Sequence, residues 1–148
     1  MSLIDNIQDE VKVAMRAKDK ARLSVLRLIT AAVKQREVDE RITLNDDQLM
    51  IVLDKMLKQR RESIAQYEKA GRQELVDQEA FEITVIQTFL PAQLTQDEIT
   101  QVVQEAVQKT GASSMKDMAA VMALVKPAIQ GRADAAFVSQ LVKKTLAG

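Results

Sequence analysis

The chain has 148 residues, 47% of them hydrophobic, which is enough for one domain or two small ones with a buried core. Basic and acidic side chains balance at 21 each, and only four glycines and two prolines occur among many strong helix formers. The composition therefore predicts an all-α protein. Because cysteine and histidine are both absent, the sequence excludes disulfides, thiol nucleophiles, imidazole bases, zinc fingers and Ser-His-Asp catalysis.

Targeting signals are missing from the sequence as given. No stretch approaches the roughly 18 consecutive apolar residues that a transmembrane helix needs. The first ten residues, MSLIDNIQDE, lack the basic and apolar regions of a secretory signal. These features predict a cytoplasmic protein that makes no contact with a membrane.

Apolar residues at helical spacing predict four helices in the first part of the chain. The first covers residues 2–17, and the second covers residues 19–40 and begins with an aspartate cap. The third covers residues 45–70 and begins with an Asn-x-x-Gln capping box. Polar residues interrupt the apolar face of its second half, which predicts a long, mostly exposed helix. The fourth covers residues 73–90 and stops before Pro91.

A domain boundary is predicted at this proline, between an N-terminal helical domain of residues 1–90 and a three-helix domain of residues 91–148. A capping box at Thr95 begins the first helix of the second domain, and Gly111 ends it. The second domain should therefore be small and wholly helical.

Serine and aspartate begin the two remaining helices of this second domain. Ser114 can cap the middle helix, which Pro127 either kinks or ends. Asp134 caps the last helix. Its predicted buried face is formed by Phe137, Val138, Leu141, Val142 and Leu146.

Basic residues concentrate in one part of the chain. Residues 16–72 contain 14 bases and 9 acids, whereas residues 74–98 contain six acids and no base. Guanidinium groups make paired contacts with phosphate oxygens. The candidate nucleic-acid-binding residues of this segment are Lys58, Arg60, Arg61 and Arg72. The alternative is a solvated helix face that Asp54, Glu62 and Glu68 neutralise.

The turn Gly131-Arg132-Ala133-Asp134 is a second candidate anion site, because it directly precedes the last predicted helix. The first N–H groups of that helix can receive an anion beside Arg132. The alternative is a glycine turn in which the carboxylate of Asp134 caps the helix and occupies the anion position itself.

Two further patterns are open to a structural and a functional interpretation. Oxygen ligands for a divalent cation can come from Glu37, Asp39, Glu40, Asp46 and Asp47. Arg36 and Arg41 flank the first three, which favours a solvated helix end. A docking face can come from Met115, Met118 and Met122, although methionines at this spacing more often belong to a core. We therefore predict no metal site.

No catalytic group is identified. The sequence has no phosphate-binding loop, no dinucleotide fingerprint and no carboxylate in a context that marks a pocket. We accordingly predict no cofactor and no catalytic residue, and the residues alone favour a binding module.

An ordered set of six motifs resembles the YqeY family. The motifs are Lys58-Gln59-Arg60-Arg61-Glu62-Ser63, Tyr67-Glu68-Lys69-Ala70-Gly71-Arg72, Leu90-Pro91, Thr110-Gly111-Ala112, Met115-Lys116-Asp117-Met118 and Gly131-Arg132-Ala133-Asp134. The match covers essentially the whole chain, and as an ordered set it is specific. Where the family commonly reads Met-Gly-Lys-Val-Met-Gly, residues 118–123 read Met-Ala-Ala-Val-Met-Ala.

The resemblance implies a bacterial cytosolic protein whose second domain is similar to the tail of GatB, the B subunit of the glutamine-dependent tRNA amidotransferase. In that enzyme the tail engages tRNA, while other domains carry out the chemistry. The contacts implied for this chain fall on Lys116, Lys126, Arg132 and the turn at Gly131. Family members often carry the label of a carbon–nitrogen ligase with glutamine as amide donor. This chain matches the tail and has no kinase-like or amidase segment, so that label is inherited by name.

Three hypotheses about function follow. The first is a non-catalytic module that binds tRNA or another folded RNA. The second is a protein-interaction adaptor with a partner in translation. The third is an amidotransferase accessory enzyme. Since the chain has four aromatic residues and no tryptophan, binding to single strands by base stacking is not expected.

Overall fold

The computed structural model describes residues 2–147, and all regular structure in this range is helical. Seven α-helices follow in chain order: α1 (Leu3–Arg16), α2 (Lys20–Glu40), α3 (Asp46–Lys69), α4 (Gln73–Gln87), α5 (Gln96–Thr110), α6 (Met118–Ile129) and α7 (Ala135–Ala147). A short 3₁₀ helix, Met115–Asp117, precedes α6. The predicted all-α class is confirmed.

Local capping explains where several of these helices begin and end. The side chain of Asn45 accepts a hydrogen bond from the N–H of Gln48 at 2.9 Å, and the N–H of Asn45 donates to the side chain of Gln48 at 2.9 Å. Asp19 accepts from the N–H of Arg22 at 3.1 Å in the same way. Gly111 ends α5 in the left-handed conformation, with φ of 65°, which glycine adopts without steric cost. The predicted caps at these positions are confirmed.

One helix end differs from the prediction, and a second decides between two alternatives that the sequence left open. Helix α4 ends at Gln87 and does not stay α-helical to Leu90. From Thr88 to Leu90, each backbone N–H donates to the carbonyl oxygen three residues earlier, which is the tighter 3₁₀ pattern. Helix α6 does not end at Pro127 but continues to Ile129. Pro127 lies in the last turn, where its missing N–H removes one helical hydrogen bond and the helix ends two residues later.

The chain divides into two compact units, one ending at Pro91 and the other beginning at Ala92; we call them unit 1 and unit 2. Unit 1 contains α1–α4, and unit 2 contains α5–α7. In the described range, no helix is both long and apolar enough to cross a membrane.

Each unit has its own hydrophobic core. The core of unit 1 is built from Ile7, Ala14, Val25, Leu26, Ile29, Val33, Leu44, Leu49, Val52, Leu53, Met56, Leu57, Val85, Ile86 and Leu90. The core of unit 2 is built from Ile99, Val103, Ala106, Val121, Val125, Ile129, Ala133, Val138, Val142 and Leu146. The buried residues of α3 all lie in its first half, as the interrupted apolar face predicts.

Phe137 departs from the predicted core. Its side chain is 43% exposed, whereas Val138 beside it is fully buried. Adjacent residues of an α-helix point about 100° apart, so a broad apolar face does not reveal which of its edges a neighbouring helix covers. The expected burial of Phe137 is therefore wrong.

Candidate nucleic-acid interface

Helix α6 and the turns at its two ends carry the basic residues that the sequence singled out in unit 2. Lys116 lies in the 3₁₀ helix, Lys126 in the last turn of α6, and Arg132 in the turn that follows. The two lysines are exposed, and Arg132 is partly buried. The structure therefore places all three on one continuous segment of unit 2.

Arg132 is held in place by the segment that leads into α5. Its Nε donates to the carbonyl oxygen of Ala92 at 3.1 Å, and its own carbonyl oxygen accepts from the N–H of Leu94 at 2.8 Å. The side-chain amide of Gln93 donates to the carbonyl oxygen of Gly131 at 3.0 Å. The first of these bonds fixes the direction of the Arg132 guanidinium, and the other two hold the backbone of the turn.

Gly131 has a structural role in the turn before α7. It is buried and adopts φ of 72°, in the left-handed region that favours glycine. Oδ1 of Asp134 accepts from the N–H of Ala136 at 3.1 Å, so a carboxylate already occupies the N-terminus of α7. This geometry agrees with the structural interpretation of the turn, in which Gly131 forms the turn and does not contact an anion.

The outward face of α6 is formed by small apolar side chains. Its exposed apolar residues are Ala119, Ala120, Ala123, Leu124, Pro127 and Ala128. Met118 and Met122 pack against the core of unit 2, whereas Met115 is 44% exposed. Two of the three methionines thus follow the core interpretation.

The basic residues of α3 and of the turn that follows it differ in exposure and in ion pairing. Lys58 is exposed and Arg61 is partly buried. Arg72, which follows the helix, is exposed, and its Nε lies 2.7 Å from Oε1 of Glu74. Lys55, three residues before Lys58, is exposed on the same side of the helix and was not among the candidates predicted from the sequence.

Arg60 faces the interior of unit 1, where it forms an ion pair with Glu82 of α4. Nη2 and Nε of Arg60 donate to Oε1 of Glu82 at 3.2 and 3.3 Å, and the two side chains are only 15% and 11% exposed. The amide of Gln78 donates to the second carboxylate oxygen at 3.2 Å. Since its guanidinium is committed to this pair, Arg60 is not positioned for phosphate contact, contrary to the expectation from sequence.

Burial and charge also affect Glu79, which lies near this pair. Its pKa is raised, first by burial and then by the neighbouring Glu82 carboxylate, while Arg60 partly opposes the shift. Because the pKa of Glu79 is raised in the folded state, its contribution to the free energy of unfolding is fully present at low pH. This contribution is lost as the pH rises through the raised pKa.

The acidic residues at the end of α2 and the start of α3 are engaged in hydrogen bonds or an ion pair. Glu37 accepts from the N–H of Leu44 at 2.9 Å, and Asp39 accepts from the amide of Gln35 at 2.9 Å. Glu40 forms an ion pair with Arg36, and Asp46 accepts from the N–H of Leu3 at 3.0 Å. Over residues 2–147, no group of three or more acidic side chains is arranged to hold a metal ion.

Open grooves occur in both units. The largest of the four that we compare has a volume of about 690 Å³ in unit 1, between α1, α3 and the end of α4. A groove of about 390 Å³ lies between α5 and α7 in unit 2. Neither Glu79 nor Glu98, whose carboxyl pKa values are shifted, lines any of the four.

Glu98 has a lowered pKa because Thr95 stabilises its charged form. The backbone N–H of Thr95 donates to Oε1 of Glu98 at 3.1 Å, the Thr95 side chain contributes a second hydrogen bond, and the charge of Arg132 adds to the effect. The stabilisation that Glu98 contributes is therefore present above the ordinary carboxyl pKa and is lost as the pH falls through the lowered one.

We expect Thr95→Ala to raise the pKa of Glu98 part of the way to its ordinary value, because the backbone hydrogen bond persists after the hydroxyl is removed. A carbon-detected NMR titration of the Glu98 carboxyl measures this shift. Thr100→Ala is the matched control, since that hydroxyl donates to the carbonyl oxygen of Gln96 and does not contact Glu98. An unchanged pKa in Thr95→Ala contradicts the assignment.

Comparison with known proteins gives a consistent set of matches. A family model described as "Yqey-like protein" matches residues 4–146. The relatives include three fungal proteins, each named "Altered inheritance of mitochondria protein 41, mitochondrial". The protein from Eremothecium gossypii is 35% identical over 59% of this chain and 48% of its own length. The protein from Kluyveromyces lactis is 34% identical over 66% of this chain and 55% of its own length. The protein from Pyrenophora tritici-repentis is 28% identical over 97% of this chain and 81% of its own length. The matched region thus spans about half the length of the first two.

Proposed function

The chain belongs to the family of Yqey-like proteins, and from that membership we propose that it is a non-catalytic module that binds folded RNA, tRNA in particular, through unit 2. One observation carries the proposal. Between Met115 and Gln130, the exposed charged side chains are Lys116 and Lys126, both cationic. Arg132 adds a third cation directly after the helix. Proteins that bind folded RNA place such cations along its phosphate backbone.

The spacing of these cations suits a phosphate backbone. Lys116 and Lys126 are ten residues apart, which corresponds to about 15 Å along a helix. The side chains exposed between them are mostly alanine, so the helix can approach a backbone closely. Asp117 is the one acid in this segment, and its carboxylate accepts from the N–H groups of Ser113 and Ser114 at 3.0 and 3.3 Å. It is thereby directed at its own backbone.

Unit 1 has its own row of cations on α3. Lys55, Lys58 and Arg61 follow one another at intervals of three residues, which places them along one side of the helix. Together with Arg72, whose ion pair with Glu74 is exposed, they are the phosphate-binding candidates of unit 1. Arg60 is not among them, because it is held in a largely buried pair with Glu82. The proposal for unit 2 does not depend on them.

The first test is a titration of the purified protein with tRNA over a range of salt concentrations. With three phosphate contacts, log Kobs is expected to fall by about 2 to 3 per tenfold increase in salt. The double variant Lys116→Ala, Lys126→Ala should bind more weakly and reduce this slope by about 1.5. Filter binding or fluorescence anisotropy measures both quantities.

A matched control removes two other exposed lysines of the same unit. Lys109→Ala with Lys143→Ala lowers the net charge equally, but neither residue lies on the α6 segment. Equal losses in the two double variants would show that α6 has no special role. Absence of binding by the unchanged protein at low salt would overturn the proposed function.

The second candidate function is a protein-interaction adaptor. It is favoured by the exposed apolar face of α6, because contiguous apolar surface often marks a site of protein contact. The same titration separates the two candidates, since an adaptor has no salt-dependent affinity for RNA that Lys116 and Lys126 control.

The compartment and the source implied by the resemblance stay predictions. The sequence predicts a cytoplasmic location, whereas the names of the relatives place those proteins in mitochondria. The relation of unit 2 to the GatB tail, and a partner in translation, likewise belong to the proposal.

A further inference from the structure

Unit 2 contains a single aromatic residue, Phe137, and that residue is not in the core. It lies in the first turn of α7, and 43% of its surface is exposed. Burying a phenylalanine side chain ordinarily stabilises a small domain, and aromatic residues usually dominate its core. The exposed part of this ring is available to a ligand.

Phe137 lines the groove between α5 and α7. The groove has a volume of about 390 Å³ and is formed by Gln96, Thr100, Phe137, Gln140, Leu141 and Lys144. This volume lies within the range of pockets that bind small ligands. Along α7 the lining residues recur at intervals of three and four, so they form one row on the helix.

The chemistry of this row changes from one end to the other. Phe137 offers an aromatic face, and Leu141 continues the apolar floor. Gln140 carries an amide that can both donate and accept hydrogen bonds, and Gln96 brings a second one from α5. Lys144 lies four residues after Gln140 and three after Leu141, and it adds a cation at that end of the row. No carboxylate is among the six lining residues.

We infer that this groove binds one unpaired nucleotide of an RNA, with the base stacked on Phe137, the base edge at the amides of Gln96 and Gln140, and a phosphate at Lys144. The inference rests on the proposed function and specifies the kind of RNA that unit 2 prefers. An aromatic face accepts any base, amides pair with base edges, and a lysine attracts phosphate. A purely apolar peptide would leave the two amides and the ammonium group without suitable partners.

One nucleotide is the appropriate size of ligand. Proteins that bind extended single strands stack successive bases on several aromatic residues. Unit 2 has one aromatic residue, so it can receive one base that leaves the stack, such as a bulged or loop nucleotide. This agrees with recognition of a folded RNA.

The test compares two RNA stems that differ by one bulged nucleotide, 2-aminopurine, whose fluorescence responds to stacking. The unchanged protein should bind the bulged stem more tightly than the fully paired stem and should change the fluorescence. Phe137→Ala should weaken binding to the bulged stem about tenfold, which corresponds to the loss of one stacked base, and leave the paired stem unaffected. Phe137→Tyr should retain the preference.

Two further variants keep the result interpretable. Gln104→Ala shortens an exposed side chain of α5 that lies neither on α6 nor in the groove, and should leave the preference for the bulge unchanged. Lys144→Gln should reduce the salt slope for the bulged stem by about 0.7, which is one phosphate contact with a single strand. Circular dichroism establishes that each variant is folded.

The possible failures are distinct. If the protein binds RNA in a salt-dependent manner but Phe137→Ala affects both stems equally or neither, the groove inference is wrong and the proposed function stands. If Phe137→Tyr loses the preference while remaining folded, the stacking role is also wrong. If the unchanged protein binds no RNA, the proposed function and this inference fail together.

Discussion

Glu82→Ala is expected to lower the free energy of unfolding by about 3 kcal/mol, because it leaves the guanidinium of Arg60 buried without its partner. Breaking a buried ion pair from one side typically costs 3 to 5 kcal/mol. We expect the lower end of this range, since the two side chains retain exposures of 15% and 11%. Urea denaturation followed by circular dichroism measures the change.

The exposed pair Arg72–Glu74 provides the matched control. Its side chains are 58% and 62% exposed, so Glu74→Ala should change the unfolding free energy by less than about 1 kcal/mol. The double variant Arg60→Met, Glu82→Leu replaces both charges with apolar groups and should be less destabilised than Glu82→Ala alone. Equal costs for Glu82→Ala and Glu74→Ala would contradict the structural role assigned to the buried pair.

Leu57→Ala is the second substitution with a large expected effect. Leu57 is fully buried at the centre of the unit 1 core, and its truncation leaves a cavity that close-packed neighbours fill only in part. Leucine-to-alanine changes at such sites cost about 3 to 5 kcal/mol. We expect a loss of about 3 kcal/mol in the free energy of unfolding, measured by the same urea titration.

Ile51 lies on the same helix as Leu57 and serves as its control. Its side chain is 44% exposed, and alanine has the higher helix propensity, so Ile51→Ala should cost less than about 1 kcal/mol. The comparison separates burial from helix propensity. If the two variants lose the same stability, the burial difference along α3 is not what stabilises unit 1.

The basic residues of the candidate interface illustrate how far sequence reasoning reaches. Lys116, Lys126 and Lys58 are exposed, as charged residues outside an apolar stripe generally are. Arg60 occupies a position where the apolar face of α3 would otherwise continue. The sequence therefore predicts that this face is interrupted there. Its partner Glu82 is 22 residues away on another helix, and no local pattern in the sequence indicates which carboxylate Arg60 meets.

The all-α class, the order of the helices and most of their ends were determined by the sequence alone. These features depend on interactions between residues three or four apart, such as the capping box of Asn45 and Gln48, and on the 3.6-residue period of apolar side chains. Both can be recognised within a short window of the chain.

Only the tertiary structure decided which of these side chains are available to a ligand. Arg132 is fixed by the carbonyl oxygen of Ala92, 40 residues earlier, and Arg60 is withdrawn from the surface by Glu82. Phe137 remains exposed because the core of unit 2 closes over Val138 beside it. The physical reason is the same in each case: availability depends on which distant segments pack against a residue, and helical periodicity carries no information about those partners.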